Sequence, residues 1–337
     1  MTGKVRHAAA AVALLPLVVL LAGCGNDQDA LAPASHQSAD IASLFWWMMG
    51  GSWLGLGLVV GLLFFGWRRG RRNTPSRGKP NEKGAWYVVI GAGIVMPIVV
   101  IATLFVVSDL FVIHTTEAPA ADKTDLTIEV IGHQWWWEVR YPGTTAVIAN
   151  EIHIPVRTPV RVLVKSADVI HSFWVPRLNR TIDAIPGRTN SIELYADAVG
   201  RYRGQCDSFC GLQHAHMAFY VFADPPAVYR KWLADQERPA RTPTATLAAQ
   251  GLHDFESGAC SSCHTIRGTT AQGKVGPDLT HLATRTTIGS LTLTNTPQNL
   301  ATWITDSQSV KPGNQMPDLA LPPQELHAIV AYLGTLK

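Results

Sequence analysis

Two long runs without a charged residue constrain this chain more than any other feature of its sequence. They extend from Ile41 to Trp67 and from Trp86 to Val107, and each exceeds the roughly 20 residues that a helix needs to cross a bilayer. Globular core helices rarely stay uncharged over such a length. We therefore predict a two-helix transmembrane hairpin with helices over residues 41–67 and 86–108.

The loop between the two runs predicts their orientation. Arginine and lysine occupy seven positions between residues 68 and 83, where Glu82 is the one acidic residue. Such a basic loop stays on the cytoplasmic side of a membrane. Both termini and all soluble parts of the chain are therefore expected on the outer face of a bacterial cell membrane.

The N-terminus has the form of an export signal. Lys4 and Arg6 precede an apolar run from Ala8 to Leu21, and the segment that ends at Cys24 resembles a bacterial lipoprotein cleavage box. We predict a lipoprotein-type signal peptide over residues 1–23 and a lipid anchor on Cys24. The alternative is an ordinary export signal followed by an incidental cysteine.

Composition argues against two other classes of protein. The formal net charge is only +3, and basic residues interleaved with aromatics do not form a stripe outside one short loop, so no nucleic-acid partner is expected. The chain has five cysteines, and an odd count argues against a pure disulfide framework.

Residues 124–224 are predicted to form an all-β sandwich. Short β-branched segments alternate there with turns containing proline and glycine, such as Pro142-Gly143 and Pro186-Gly187. The predicted strands are Leu126–Val130, Val147–Ile148, Glu151–Ile154, Val160–Val164 and Asn190–Leu194.

The end of this domain carries a set of soft metal ligands. Cys206, Cys210, His214 and Met217 follow one another in a single loop, and His171 lies upstream. Thiolate, imidazole and thioether groups suit copper better than magnesium or calcium, and zinc has little use for the methionine. Two cysteines can also bridge two metal ions. The alternative is a Cys206–Cys210 disulfide beside unrelated histidines.

Together with the two membrane runs and the stretches Gly132–Trp137 and Thr181–Arg188, this loop is similar to subunit II of the haem-copper cytochrome oxidases. The cupredoxin-like domain of that family holds a dinuclear copper centre, CuA. The resemblance implies that the copper ligands are His171, Cys206, the backbone carbonyl of Ser208, Cys210, His214 and Met217. It also implies that Trp135 passes electrons to the copper, although a purely structural tryptophan is the alternative.

A second exported domain follows a polar, proline-containing linker over residues 234–247. Residues 248–337 contain Cys260-Ser-Ser-Cys263-His264, the haem c attachment signature, which predicts thioether bonds from the two cysteines and an axial ligand from the histidine. The order of the following motifs resembles a small all-α class I cytochrome c, with Met316 as the second axial ligand and His281 as a competitor. A redox dithiol and a partial zinc site are the alternatives for the cysteine pair.

These features predict an electron relay. The resemblance implies subunit II of a terminal oxidase of the cytochrome caa type, in which haem c passes electrons to CuA and then to subunit I. Subunit I and other subunits reduce O2 to water and pump protons, and an external cytochrome c or another donor supplies the electrons. Fusion of the cytochrome raises its effective concentration at the copper domain. The alternatives are a CuA-containing nitric oxide reductase and an envelope copper-binding protein.

Ser208 generates a prediction about a second metal. The family usually has glutamate at this position, with its carbonyl on copper and its carboxylate on a magnesium or manganese ion. Serine keeps the carbonyl but lacks the carboxylate, so we expect copper to be retained and the second-metal site to be lost or rebuilt. Elemental analysis of the purified complex should find copper without stoichiometric manganese, and full manganese occupancy at that interface would contradict the prediction.

Overall fold

A computed structural model describes residues 27–72, 82–120, 124 and 126–337. The predicted signal peptide and Cys24 lie outside the described residues.

The N-terminal part of the described chain is helical. Among the described residues, two helical stretches are long and apolar enough to cross a membrane, His36–Arg71 and Glu82–Ser108, and their most apolar windows are not buried by the rest of the chain. Apolar helices without a protein cover suit a lipid environment. The elements are α1 (His36–Arg72), α2 (Glu82–Ile90), a π-helical turn (Gly91–Val95), α3 (Met96–Ser108), a second π-helical turn (Asp109–Ile113) and α4 (His114–Thr116).

The start of α1 is fixed against the β domain by two buried serines. Ser35 Oγ accepts a hydrogen bond from Ser38 N at 3.1 Å, and Ser38 Oγ accepts one from Ser35 N at 3.2 Å, so the pair caps the helix reciprocally. The Ser38 hydroxyl also donates to Arg177 O at 2.7 Å, and Gln37 Nε2 donates to Glu193 Oε1 at 2.6 Å. The first membrane helix is thereby attached to the β domain.

The β domain is a sandwich of two five-stranded sheets, in the orders β3-β2-β1-β5-β8 and β4-β10-β9-β6-β7. This confirms the predicted all-β class. The strands are β1 (Thr127–His133), β2 (Trp136–Arg140), β3 (Val147–Ala149), β4 (Glu151–Pro155), β5 (Val160–Ser166), β6 (His171–Trp174), β7 (Ile182–Ala184), β8 (Asn190–Leu194), β9 (Gly200–Cys206) and β10 (Ala218–Asp224).

Alternate residues of the strands fill the space between the sheets. Val160, Val162 and Val164 of β5 are buried while the residues between them are not, as the two-residue period of a strand requires. Trp137 from the first sheet packs edge-on against Phe173 and Phe219 from the second, with ring centroids 5.8 and 5.6 Å away. This aromatic core lies directly beneath the predicted metal loop.

A short connection joins the two soluble domains. Helix α5 (Pro226–Gln236) follows the sandwich, α6 (Thr246–Ser257) opens the C-terminal domain, and the irregular part covers residues 237–245, inside the predicted linker. Arg267 of the C-terminal domain donates from Nη1 to Glu237 O at 3.1 Å and to Thr145 Oγ1 at 2.8 Å. The connection is therefore held against both domains.

The C-terminal domain is helical, as predicted, apart from one short ribbon of two-residue strands. Gly289, Ser290 and Leu291 have φ values of 63°, 59° and 67°, and these left-handed residues turn the chain back so that β11 pairs with β12. The elements are α6, α7 (Cys260–Cys263), a 3₁₀ turn (Leu282–Thr284), β11 (Thr287–Ile288), β12 (Leu293–Thr294), α8 (Pro297–Thr305), α9 (Ser307–Val310) and α10 (Pro323–Leu333).

The crossing of α6 and α10 gives a stability prediction. A Cβ at Gly251 would lie 1.9 Å from Ala328 O, which is backbone and cannot rotate away. We expect Gly251→Ala to force the helices apart and lower the free energy of unfolding by about 1–3 kcal/mol. Denaturant unfolding and hydrogen exchange of α6 and α10 measure this. The control Gln250→Ala changes an exposed residue of α6 and should stay within about 0.5 kcal/mol; equal effects would contradict the packing argument.

Candidate functional site

The predicted copper loop is closed by the β9–β10 hairpin. Cys206 is the last residue of β9, Met217 immediately precedes β10, and Cys206 N donates to Met217 O at 2.9 Å. Between them a 3₁₀ turn over His214–His216 shortens the loop. The pairing of the two strands thus brings the first and last predicted loop ligands together.

Four further distances describe the cluster within this loop. The Cys210 sulfur lies 3.8 Å from the Cys206 sulfur, 3.7 Å from His214 Nδ1 and 3.8 Å from Met217 Sδ. The Cys206 sulfur lies 3.2 Å from Ser208 O, so this carbonyl faces the cluster. Both thiols are free, because 3.8 Å far exceeds the ~2.05 Å of a disulfide bond.

His171 reaches the cluster from the neighbouring strand. It begins β6, which pairs with β9, and its Nδ1 lies 4.0 Å from the Cys206 sulfur. Asp168 Oδ1 lies 2.7 Å from His171 Nε2, and because a carboxylate only accepts, Nε2 carries the proton and Nδ1 faces the cysteine. Burial lowers the pKa of His171, but the hydrogen bonds to Asp168 and Cys206 outweigh it and the net shift is upward.

The two thiols share their protons unequally. The hydrogen bond between the two sulfurs, aided by His171, lowers the pKa of Cys206, whereas the same bond and burial raise the pKa of Cys210. The pair therefore holds one thiolate readily, and a bound metal has to displace the second proton. The ligand atoms of His171, Cys206 and Cys210 all lie within 4.8 Å of one another. This soft, buried donor set fits copper.

The Ser208 side chain points to a polar group outside the cluster. Its Oγ lies 2.5 Å from Ser172 Oγ, and Ser172 Oγ also donates to Asp183 Oδ1 at 2.5 Å. Ser208 thus offers its carbonyl to the sulfur cluster while its hydroxyl joins a chain that ends at a carboxylate.

Trp135 links the copper loop to a second site. Its indole Nε1 donates to Cys210 O at 3.1 Å, and Gln134 Nε2 donates to the same carbonyl at 2.8 Å. Trp135 also lines a cavity in the C-terminal domain, beside Lys311 and Ser290. One side chain therefore touches both places to which the sequence assigns a cofactor.

That cavity collects the predicted haem residues. Cys260, Cys263, His264 and Met316 all line it. Its walls are otherwise mainly apolar, as a haem plane requires, and they include Phe255, Leu279, Leu282, Ile288, Leu300, Trp303, Ile304, Ile329 and Leu333.

His264 is oriented for iron ligation by its neighbours. Its Nδ1 lies 2.8 Å from Pro277 O, and because a carbonyl only accepts, Nδ1 carries the proton and Nε2 is left for a metal. A Cβ at Gly276 would lie 2.5 Å from His264 Cε1, so glycine is needed for this close approach. Burial lowers the pKa of His264 and keeps the ring neutral, the form that binds iron.

The loop that carries Met316 is held by side chains. Ser307 Oγ donates to Met316 O at 2.7 Å, Gln308 Nε2 donates to the same oxygen at 2.9 Å, and Met316 N donates to Asn314 Oδ1 at 2.8 Å. The competing candidate, His281, is not among the cavity-lining residues, and its Nε2 lies 3.0 Å from Arg238 O.

Several residues of these sites were not found by sequence reasoning. Arg285 and Thr287 line the cavity, and within the described chain Arg285 Nε and Thr287 Oγ1 are buried without a hydrogen-bond partner. Such groups fit the acidic side groups of a haem, so the cavity fits this cofactor. Asp168 and Lys311 were also missed. A carboxylate three residues before a ligand histidine is a weak signal for Asp168, and no pattern marks the others.

Two models of known protein families match parts of this chain. Residues 144–223 match the model described as cytochrome C oxidase subunit II, periplasmic domain, and residues 248–337 match the model described as cytochrome c. The two matches fall on the β domain and on the C-terminal domain, in that order.

Relatives with similar sequences cover different shares of the chain. A cytochrome c oxidase subunit 2 of Alkalihalophilus pseudofirmus is 37% identical over 65% of this chain and 64% of its own length. A protein of the same description from Bacillus subtilis is 27% identical over 97% of this chain and 96% of its own length. The solved periplasmic domain of cytochrome oxidase subunit II of Bradyrhizobium japonicum is 33% identical, over 35% of this chain and 94% of that chain, with a TM-score of 0.33.

The contact between Asp168 and His171 generates a prediction. Asp168→Asn removes the charge that orients His171, and loss of such a partner typically weakens metal affinity about 10- to 100-fold. Copper retention against a chelator measures this. Asp207→Asn is the matched control, because it removes an exposed carboxylate beside Cys206. Equal copper retention in the two variants would contradict the role of Asp168.

Proposed function

The chain belongs to the cytochrome c oxidase subunit II family and carries a cytochrome c domain at its C-terminal end, and on that premise we propose that it receives electrons for a terminal oxidase. Haem c and CuA, when bound, supply one-electron transfer from an external donor towards subunit I. Reduction of O2 to water and proton pumping belong to the assembled complex, because the chain itself carries no predicted O2 site.

One observation supports this proposal above the others. Trp135 donates a hydrogen bond to the carbonyl of Cys210 and lines the cavity that contains Cys260, Cys263, His264 and Met316. The proposed copper ligands and the proposed haem residues are thus separated by a single aromatic side chain. An envelope copper-binding protein has no need for this arrangement.

We assign the roles of the residues as follows. His171, Cys206, Cys210, His214, Met217 and the Ser208 carbonyl would hold the copper pair. Cys260 and Cys263 would attach the haem, and His264 and Met316 would bind its iron. Trp135 would carry electrons to the copper.

The membrane part agrees with this role. The two candidate membrane helices anchor the subunit, and its β domain matches a family model described as periplasmic. We propose that both soluble domains lie on the outer face, that subunit I and other oxidase subunits surround the helices, and that an external cytochrome c or another donor reduces the haem. Lipidation of Cys24 would add a second anchor.

Gas consumption by the purified complex tests the reaction. We expect rapid oxygen uptake, together with iron, copper and the near-infrared absorption of a mixed-valence copper pair in the same sample. Nitric oxide uptake with negligible oxygen turnover would overturn the oxidase proposal and favour a CuA-containing nitric oxide reductase.

A variant tests the order of the relay. Replacing Cys260 and Cys263 by alanine removes the covalent attachment of the haem, so we expect donor-driven oxygen uptake to be largely lost while copper content is unchanged. A small redox mediator that reduces copper directly should restore uptake. Ser262→Ala, between the two cysteines, is the control and should retain activity; unimpaired donor-driven uptake by the cysteine variant would contradict a relay through the haem.

A further inference from the structure

Lys311 is a buried lysine at the boundary between the two soluble domains. It belongs to the C-terminal domain but donates from Nζ to Trp135 O at 2.7 Å and to His216 O at 2.9 Å, both in the β domain. Its third hydrogen bond, to Gly289 O at 3.1 Å, stays within its own domain. Only 3% of Lys311 is exposed.

The three acceptors use the full capacity of the amine. A lysine ammonium has three donors and no acceptor, and each donor here points to a carbonyl oxygen. A buried ammonium is costly unless all its donors are satisfied. Because two of the three acceptors belong to the other domain, separating the domains would leave Lys311 incompletely satisfied or move it into water. The hydrogen bonds are therefore complete only when the domains are docked.

Lys311 contacts the segments that carry the proposed cofactor residues. His216 lies in the copper loop between His214 and Met217, and Lys311 lies in the loop that leads to Met316. Its other acceptor in the β domain is the backbone oxygen of Trp135, whose indole N–H donates a hydrogen bond to Cys210 O in the copper loop. One amine thus joins the copper loop, the haem-ligand loop and the aromatic residue between them.

Neighbouring contacts hold the same boundary from both sides. Gln213 Nε2 in the copper loop donates to Pro312 O at 2.8 Å. On the other side, Thr286 N donates to the buried Glu151 carboxylate at 2.7 Å, and the Thr286 hydroxyl donates to the same oxygen at 2.6 Å. Lys311 directly precedes Pro312 in the chain, and its bond to Gly289 reaches the segment that also contains Thr286.

We infer that Lys311 is a positioning residue that docks the cytochrome domain on the copper loop and sets the separation across which the haem reduces the copper pair. This inference rests on the proposed electron relay. The amine exchanges no electron itself. It fixes the Trp135 backbone and the His216 backbone relative to the loop of Met316.

Acylation of the wild-type chain tests the docking without any redox reaction. We expect an amine-reactive ester to modify Lys311 at least roughly tenfold more slowly than Lys274, an exposed lysine of the C-terminal domain, because reagents reach only exposed amines. Burial lowers the pKa of Lys311 to about 7, which by itself would speed acylation, so slow modification reports burial. Modification of Lys311 as fast as that of Lys274 would overturn the docking.

Lys311→Met in the full complex tests the positioning role, with Lys274→Met as the matched control. We expect the rate of haem-to-copper electron transfer to fall roughly tenfold or more in the Lys311 variant, because the remaining boundary contacts no longer fix the loop of Met316 against Trp135 and the copper loop. Reduction of the haem by the external donor, the copper content and both midpoint potentials should stay at wild-type values. The control should match the wild type in every measurement.

The outcomes separate this inference from the proposed function. Absence of haem-to-copper transfer in the wild-type complex would overturn the relay itself. Normal transfer in both lysine variants would leave the relay intact and overturn the role of Lys311. If Lys311→Met fails to fold, the acylation experiment on the wild-type chain still decides whether the domains are docked through this residue.

Discussion

The hairpin formed by β9 and β10 is the constraint on which the copper loop depends. The hydrogen bond between Cys206 N and Met217 O closes the loop, so the residues between them form a compact connection from β9 to β10. Cys210 and His214 then lie beside the Cys206 and Met217 side chains, and Gln134 and Trp135 hold the Cys210 carbonyl from outside the loop. The pairing of β9 with β6 adds His171. Strand pairing and these two hydrogen bonds thus assemble the cluster, and Asp168 orients its most remote member.

The boundary between the soluble domains is polar, and this has a physical consequence. Its described contacts are hydrogen bonds: Lys311 donates to backbone carbonyls, Thr286 donates to the buried Glu151 carboxylate, and Arg267 donates to the connecting segment. Hydrogen bonds require defined directions, whereas apolar contacts tolerate sliding. A polar boundary therefore favours one docked arrangement of the two domains. Such an arrangement suits electron transfer between two fixed sites better than a loosely tethered cytochrome.

The membrane anchor is connected to this assembly through its outer end. Ser35 and Ser38 cap α1 and bond to the backbone of the β domain, so the direction in which the helix leaves the domain is defined by buried hydrogen bonds. This contact fixes the β domain relative to the first candidate membrane helix. A subunit that delivers electrons to a membrane partner requires such a relation.

The sequence by itself determined the classes of the elements and most proposed ligands. Uncharged length predicted the membrane helices, β-branched segments between proline- and glycine-containing turns predicted the sandwich, and the spacing of Cys260, Cys263 and His264 indicated haem attachment, because each of these signals is local. Five of the ten strands of the sandwich lie within about three residues of the predicted bounds, whereas β2, β6, β7, β9 and β10 were not predicted. These patterns need no knowledge of distant neighbours.

Tertiary structure decided what no local pattern encodes. Asp168 orients His171, Arg285 and Thr287 line the cavity with buried polar atoms that have no partner in the described chain, and Lys311 reaches across to Trp135. These arrangements depend on the folded positions of the side chains and not on a local pattern. A lysine in a polar loop is usually a solvated residue. Only the folded arrangement of the two domains removes it from water and surrounds it with carbonyl oxygens, and burial then makes its hydrogen bonds decisive.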